Sequence, residues 1–170
     1  KFYRINGKST QLKGVEADIP MKDLYGFEEI GERFDNFALP WDQVNSTNFT
    51  ALDNTKNSGL AKKSELRLAQ NKNYQRLLES AQWREKLNKE EKVSLNITEF
   101  ESLMKARKAQ IEKFKPLIKY NNGLNFSLHP DELKRGKTDE VYEKKSENWM
   151  KNLKRDLYLQ ETVNIISELK

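Results

Sequence analysis

Apolar side chains recur at helical spacing from residue 57 onward and lack that periodicity before it. Two stripes, in residues 73–87 and 98–118, return every three or four positions, as one face of an α-helix does. Weaker stripes follow in residues 139–155 and 160–170, and residues 57–71 are only weakly periodic. This pattern predicts four to five helices. The two clear stripes consist of Tyr74, Leu77, Leu78, Ala81 and Leu87, then Phe100, Leu103, Met104, Ile111, Phe114 and Ile118.

Polar residues at the starts of these stripes are typical helix caps. Asn71 or Asn73 is the expected N-cap of the first clear helix, and Thr98 with Glu101 forms a capping-box sequence at the second. Thr138 is the expected N-cap of the basic helix over residues 139–155.

One arginine interrupts each clear stripe, Arg84 in the first and Arg107 in the second. Val93–Leu95, between the two helices, is predicted to be a short extended piece. Pro116 lacks the amide hydrogen that a helix interior uses, so we expect it to kink the last turn or end the helix just before it.

The first twelve residues carry a hairpin signal rather than a helical one. Lys1–Ile5 and Ser9–Leu12 mix apolar and polar residues, and Asn6-Gly7 joins them. Asn-Gly favours a type I′ turn, because both central residues of that turn need positive φ. A lone two-stranded hairpin is marginal in water, so we expect the chain to be a fragment of a larger protein. The exposed apolar side chains would then make the fragment self-associate through residues 1–12.

Residues 21–54 lack a regular period but are rich in aromatic residues. Because disordered segments are poor in aromatics, we expect an ordered connector. Pro40 favours an extended Leu39, and Trp41 is expected to insert into a neighbouring apolar groove, with contact to a ligand as the alternative. The aromatic residues are Tyr25, Phe27, Phe34, Phe37, Trp41 and Phe49.

Charge is abundant and unevenly spread along the 170 residues, of which 34% are charged and 36% hydrophobic, with a net charge of +5. Residues 21–54 hold seven acids and two bases, whereas residues 98–119 hold six bases and three acids. Residues 134–155 hold eight bases and four acids. The acidic connector and the basic helices either dock on each other or are solvated faces, and both interpretations stay open. No apolar run approaches the roughly 18 residues of a membrane span.

Few residues are suited to catalysis or metal binding. The chain has no cysteine, and His129 is its single histidine, which excludes disulfides, thiolate sites and typical zinc or iron sites. His129 precedes Pro130 at the end of a predicted loop over residues 121–130 and is expected to be exposed. The glycines form no phosphate-binding motif. We therefore predict no catalytic, cofactor-binding or metal-binding residue, and no cofactor.

Two blocks in the first 42 residues carry a family pattern. The first is Phe2-Tyr3-Arg4-x-Asn6-Gly7-x-Ser9-Thr10-Gln11-x-Lys13-Gly14-Val15 followed by Asp18-Ile19, and the second is Gly31-Glu32-Arg33-Phe34 followed by Ala38-Leu39-Pro40-Trp41-Asp42. Both resemble the carboxy-terminal processing serine proteases, and most of all the tail-specific protease branch. Weaker similarities occur at Val93–Asn96 and Glu161–Ile165. Ala17 stands where the family usually has a proline. Because a proline would stiffen that loop, this difference bears on the stiffness of the loop and not on the family resemblance. The residues given structural roles by the resemblance are Lys13, Gly14, Asp18, Leu39, Pro40, Trp41 and Asp42.

The resemblance implies a mainly α fold in three parts. Residues 1–20 would be the C-terminal β hairpin of a protease core, residues 21–56 an irregular connector, and residues 57–170 a four- to five-helix C-terminal domain. The family's catalytic serine and lysine would lie upstream, so no catalytic residue is transferred and this chain alone would be inactive. Ser9, Thr10 and Lys13 are expected to be hairpin residues rather than a dyad.

The resemblance also implies a cellular setting. The parent would be an exported, periplasmic bacterial serine endopeptidase that acts on proteins with unstructured C-termini. The partners of this chain would be the protease core and its PDZ-type domain, protein substrates and an adaptor protein.

Two other functions remain open at this stage. A free-standing helical module that binds proteins is the main alternative. Nucleic-acid binding by the basic helices is the lesser one, because acids lie among the bases and no recognition motif is present.

Overall fold

The computed structural model describes residues 1–50 and 57–169. The last six residues of the predicted connector and the final lysine of the last predicted helix lie outside that range. The described residues contain six α-helices and one short 3₁₀ helix, Glu32–Phe34. The α-helices are α1 (Asn57–Gln70), α2 (Lys72–Asn88), α3 (Ile97–Ile118), α4 (Pro130–Gly136), α5 (Glu140–Arg155) and α6 (Leu157–Glu168).

The helices pack around a small core. Helix α1 contacts α2 and α6, α2 also contacts α3, and α4 contacts α5. The buried apolar residues come from α1, α2 and the start of α6, which agrees with the low hydrophobic content of the chain. They are Leu60, Leu68, Tyr74, Leu77, Ala81 and Leu157.

A partly buried ion pair joins α1 to α6, in which the Glu161 carboxylate is the buried member. The guanidinium of Arg67 donates to Glu161 through Nε at 3.0 Å and Nη2 at 2.7 Å, and its Nη1 donates to Glu168 at 2.6 Å. Lys63 completes the group by pairing with Glu168 at 3.0 Å. Burial is the largest single effect and raises the pKa of Glu161, but the hydrogen bonds to its carboxylate, from Arg67 first, together with the Arg67 charge outweigh burial, and the resulting pKa is lowered.

The loop after α3 is hydrogen-bonded to the turn between α5 and α6. The buried amide of Asn122 donates to the Leu153 carbonyl at 2.7 Å and to the Asp156 carbonyl at 3.1 Å. Asp156 ends α5 and caps α6 by accepting from the amides of Tyr158 and Leu159. Residues 121–129 therefore run over the bundle in a defined path.

The predicted N-terminal β hairpin is wrong as a pair of strands. In the described residues no strand forms, and residues 1–12 contain isolated antiparallel bridges only, at Tyr3 with Ser9 and at Lys8 with Gln43. The chain does reverse here, but not through the predicted type I′ turn. The Gly7 amide donates to the Arg4 carbonyl at 2.8 Å, so Ile5 and Asn6 are the central residues of the turn, and of Asn6 and Gly7 only Gly7 has positive φ, at 78°. The two arms, both within the described residues, pair only through the Arg4 amide to Lys8 and the Thr10 amide to Phe2, and residues 42–47 of the connector bond to other backbone groups of residues 5–9.

The prediction of mainly α structure is confirmed, but the helix count was too low. Six α-helices are described rather than four or five, because α4 spans only 7 residues. A single 7-residue helix shows too few turns for periodicity to reveal it. Its N-cap is His129, whose Nδ1 accepts from the Asp131 amide at 3.4 Å while the His129 amide donates to Glu132.

The predicted caps are partly confirmed. Asn71 caps α2 by accepting from the amides of Asn73 and Tyr74. Asn96, not Thr98, caps α3, and Asp139, not Thr138, caps α5. Helix α3 runs past Pro116 to Ile118.

Candidate functional site

The connector returns to the N-terminal segment and hydrogen-bonds to it. The Ser9 amide donates to the Asp42 carbonyl at 3.1 Å, the Val44 amide to Gly7 at 2.9 Å, and the Thr47 amide to Ile5 at 3.1 Å. Residues 1–14 and 41–47 thus form one unit, which we name the junction. Gly7 lies where the two segments are closest, and a Cβ there would overlap the Val44 carbonyl oxygen.

Trp41 is the aromatic anchor of the junction. Its indole N–H donates to the Ser9 carbonyl at 3.0 Å, and the Lys13 ammonium lies 4.5 Å from its ring centroid. Such a cation–π contact contributes roughly 0.5–1 kcal/mol at an exposed site. The predicted anchoring role of Trp41 is therefore directed at the N-terminal segment, through a carbonyl and a cation rather than an apolar groove.

Asp42, next to Trp41, binds the start of the chain. Its Oδ2 accepts from the Lys1 ammonium at 2.9 Å and from the Tyr3 hydroxyl at 3.0 Å. The Lys1 hydrogen bond is the main cause that lowers the pKa of Asp42. The pKa of Tyr3 is raised, chiefly because its hydroxyl donates to that carboxylate.

The two sequence blocks also meet at Glu32. Its carboxylate accepts from the side-chain amide of Gln11 and, at 2.9 Å, from the backbone amide of Leu12. Leu12 adopts φ 62°, a left-handed conformation that is uncommon outside glycine. The contact explains how a loop with this conformation is held.

A cavity of about 330 Å³ opens beside the junction. Four of the seven motif residues border it, namely Lys13, Gly14, Asp18 and Trp41, and Asp42 follows directly in sequence. Leu39 and Pro40 are exposed and lie outside the cavity lining. The remaining lining residues are Arg4, Asn6, Lys8, Ser9, Glu16 and Ala17.

Ser9 and Lys13 of the junction are engaged in structural contacts. Ser9 is buried, and its Oγ accepts from the Gln11 amide at 3.0 Å. Lys13 is placed over Trp41. Within the described residues, no group of three or more His, Cys, Asp or Glu side chains is arranged to hold a metal ion.

A second segment of the connector, which we name the strap (residues 22–28), crosses the helices. The Glu28 carboxylate pairs with Arg84 Nε of α2 at 2.8 Å, and the Arg84 guanidinium lies 4.8 Å from the Tyr25 ring centroid. The hydroxyls of Tyr74 and Tyr158 both donate to the Lys22 carbonyl, at 3.1 and 3.4 Å. The rings of these two tyrosines meet edge to face, with centroids 6.4 Å apart.

The strap was missed from sequence, although Arg84 signalled it. An arginine inside an apolar stripe indicates a carboxylate partner on a neighbouring segment, and Arg107 behaves likewise by pairing with Glu90. Among the described ion pairs, the connector acids Glu28 and Asp42 bind Arg84 and Lys1. Neither uses the basic residues of α3 or α5.

Fold and junction together define a helical domain preceded by an ordered connector that binds back to the N-terminal segment. Residues 25–170 match the family described as the C-terminal domain of tail specific protease (DUF3340). The chain therefore belongs to the tail-specific protease family and corresponds to a C-terminal portion of its members. Among curated proteins it is similar to a tail-specific protease of Haemophilus influenzae, with 46% identity over 54 residues. That match covers 32% of this chain and 8% of the relative.

None of the described helices is both long and apolar enough to cross a membrane.

Proposed function

We propose that this chain is the C-terminal helical accessory domain of a tail-specific serine endopeptidase that degrades proteins with unstructured C-termini. The observation that carries the proposal is the junction. Motif residues from both sequence blocks, Lys13 and Trp41 among them, contact each other or border one cavity. The family resemblance is thus supported by the proximity of the motif residues in the structure as well as by their identity in the sequence.

The proposed division of the chain places residues 1–20 in the protease core, residues 21–56 in a connector and residues 57–170 in the helical domain. The serine nucleophile and lysine base of the enzyme lie upstream in this proposal. Ser9 accepts a hydrogen bond from the Gln11 amide, and Lys13 lies over the Trp41 ring. These contacts support the proposal, because the two side chains do not bond to each other as a nucleophile and its base would.

Helix α3 supplies the surface on which the domain packs against the rest of the protease. Its apolar stripe is open, since Phe100, Ile111 and Ile118 are 39%, 50% and 68% exposed. The segment before it adds the exposed side chains of Val93 and Leu95. The matched segment makes up only 8% of the length of its relative, so a complete protease offers ample polypeptide to cover this stripe.

In the whole enzyme, the domain shapes access of substrates or of an adaptor to the proteolytic core. The proposal places the enzyme in the periplasm or another exported compartment of bacteria, and needs no cofactor. The PDZ-type domain that captures substrate C-termini belongs to the upstream part.

Degradation of an unfolded protein, such as casein, tests the proposal. We expect no cleavage by the 170-residue chain and cleavage by the same chain joined to its natural upstream sequence. Ile111→Glu with Ile118→Glu in the complete enzyme should weaken cleavage and lower the unfolding temperature, whereas Lys105→Glu on the same helix should change neither. Cleavage by the isolated chain, or none by the complete protein, would refute the proposal.

A free-standing binding module is the alternative, and it predicts a protein partner for the isolated chain with no protease attached. The nucleic-acid alternative predicts an affinity that falls steeply between about 50 and 200 mM salt. Affinity that is absent or independent of salt excludes it.

A further inference from the structure

A small open cleft lies on the hairpin of α4 and α5, and the proposed docking through α3 does not use it. Its volume is about 260 Å³, below the roughly 300–1,000 Å³ of small-molecule pockets. That size suits one inserted side chain rather than a cofactor. We name it the α4–α5 cleft, and it is lined by Leu128, Glu132, Tyr142, Lys145, Ser146 and Trp149.

The walls of the cleft are fixed before any ligand binds. The Tyr142 hydroxyl donates to Glu132 at 3.3 Å, and the Arg135 guanidinium lies 4.3 Å from the Tyr142 ring centroid. Asp139 holds the backbone of Tyr142 by accepting from its amide at 3.0 Å. A cleft held in this way loses little conformational entropy on binding, which favours affinity.

Trp149 is the exposed wall. It is 55% exposed. An exposed tryptophan is a candidate binding residue, because tryptophan contributes more binding energy in protein interfaces than most residues do. Leu128 and Tyr142 stand beside it, so an apolar side chain entering the cleft would contact apolar surface on several sides.

The charge around the cleft selects the partner. Glu132 brings one negative charge to the lining and accepts a hydrogen bond from Tyr142, whereas Lys145 forms no ion pair within the described part of the chain. Residues 134–155 hold eight bases and four acids. A ligand carboxylate next to the inserted side chain would therefore meet an available ammonium and a positive field.

We infer that the α4–α5 cleft binds a segment of another protein in which an aromatic side chain is flanked by acidic residues. The aromatic ring inserts against Trp149 and Tyr142, and a neighbouring carboxylate pairs with Lys145. This site is separate from the α3 stripe, so it stands or falls independently of how the domain docks on a protease.

Fluorescence anisotropy of a labelled synthetic peptide tests the inference on the 170-residue chain. The probe is a decapeptide with one central phenylalanine, two acidic residues on each side, and glycine and serine elsewhere. We expect saturable binding that weakens by roughly tenfold or more in Trp149→Ala, and by a similar factor when the peptide phenylalanine is replaced by alanine. Trp149→Phe should retain part of the affinity.

Charge specificity needs a matched control. Lys145→Glu and Lys105→Glu change the net charge equally, but only Lys145 lines the cleft. We expect Lys145→Glu to abolish most binding and Lys105→Glu to leave it near that of the unchanged chain. Equal losses in both variants, no saturable binding, or full binding by Trp149→Ala would overturn the inference.

A second copy of the chain is the competing occupant, because residues 28–37 combine acids with the exposed ring of Phe37. Analytical ultracentrifugation without peptide separates the two cases. A monomer supports the inference, and so does an oligomer that Phe37→Ala and Trp149→Ala leave intact, because it forms through another surface such as residues 1–12. An oligomer that both Phe37→Ala and Trp149→Ala dissociate would assign the cleft to self-association and overturn it.

Discussion

The indole of Trp41 and the carbonyl of Ser9 are 3.0 Å apart, joined by a hydrogen bond that spans 32 residues of sequence. The bond brings the second motif block onto the first. Around it the backbone of residues 42–47 follows that of residues 5–9, and Lys13 covers the exposed side of the ring. The connector is therefore attached at the junction and, through the strap, at α2 and α6.

Replacing Trp41 should loosen the junction without unfolding the helices. Trp41→Phe keeps a ring for Lys13 but loses one hydrogen bond, for which we expect a cost of about 1 kcal/mol. Trp41→Ala also loses the ring and should cost about 2 kcal/mol. Hydrogen exchange of the Ser9 and Val44 amides measures the local opening. Unchanged exchange at these amides in Trp41→Ala would show that Trp41 is not the anchor.

Gly7 should tolerate no side chain, whereas Gly14 provides a matched control. Both have positive φ, 78° and 63°, so alanine is strained at either position. Only at Gly7 would the new Cβ also overlap the Val44 carbonyl, since nothing lies within 4 Å of a Cβ at Gly14. We expect Gly14→Ala to cost about 1 kcal/mol and Gly7→Ala clearly more. Equal effects on amide exchange in the junction would contradict the close approach.

Sequence periodicity predicted the helices because burial of an apolar face is a local signal. It placed α2, α3 and α5 with small errors at their ends, and offered Asn71 or Asn73 as the cap of α2, of which the structure has Asn71. It missed α4, which is too short for a period to show. The capping errors at Asn96 and Asp139 arose because several adjacent polar residues can each cap, and geometry selects one.

The junction could not be derived from local pattern. Asn6-Gly7 correctly predicted a reversal of the chain but not its type, because Asn6 lacks the positive φ of a type I′ turn. The hydrogen bonds that join this segment to the connector come from residues about 40 positions away, such as Thr47 to Ile5. The family resemblance named Lys13 and Trp41 as motif residues without indicating that they touch. Likewise, Arg84 was visible as an interruption of a stripe, whereas its partners Glu28 and Tyr25 required the fold.

The ion pair between α1 and α6 should be the most acid-sensitive contact of the domain. The pKa of Glu161 is lowered in the folded chain from about 4.3 for an unfolded glutamate. Its contribution to stability is therefore complete above about pH 4.3 and is lost as pH falls through the lowered value. Thermal unfolding of Glu161→Gln and the unchanged chain between about pH 3 and 7 measures this, and the two curves should converge at the acid end.

Removing Arg67 should cost more than removing an exposed cation. Arg67→Met leaves the buried carboxylate of Glu161 without its partner, for which we expect a loss of about 3 kcal/mol. Lys89→Met breaks an exposed pair with Glu85 on α2 and should cost at most about 0.5 kcal/mol. Urea unfolding at neutral pH compares the variants. Similar losses for both would show that burial does not strengthen the α1–α6 contact.

Tyr158 should make the domain sensitive to strong alkali. Burial, with a smaller effect of the Asp23 charge, raises the pKa of Tyr158 to about 12. The unfolded phenol has a pKa near 10, so this contribution is complete below about pH 10 and is lost as pH rises towards about 12. We expect the unfolding temperature of the unchanged chain to fall more steeply over that window than that of Tyr158→Phe. If the unfolding temperatures of the two chains fall in parallel over this window, a group other than Tyr158 causes the loss of stability.

Self-association through residues 1–12 remains a prediction, and the structure allows a sharper test than deletion. Deleting the segment would also destroy the junction, because its backbone binds residues 42–47. The side chains of Phe2 and Ile5, however, are 80% and 58% exposed and point away from those contacts. Replacing both with serine removes apolar surface and leaves the backbone pairing intact. We expect the double variant to sediment as a monomer at concentrations where the unchanged chain associates, because the apolar surface that drives association is gone.

Val15→Ser, at an apolar residue that is 68% exposed but outside the segment, is the control and should still associate. An unchanged oligomeric state in the double variant would move the association surface away from the N-terminal segment, with the open stripe of α3 as the next surface to test.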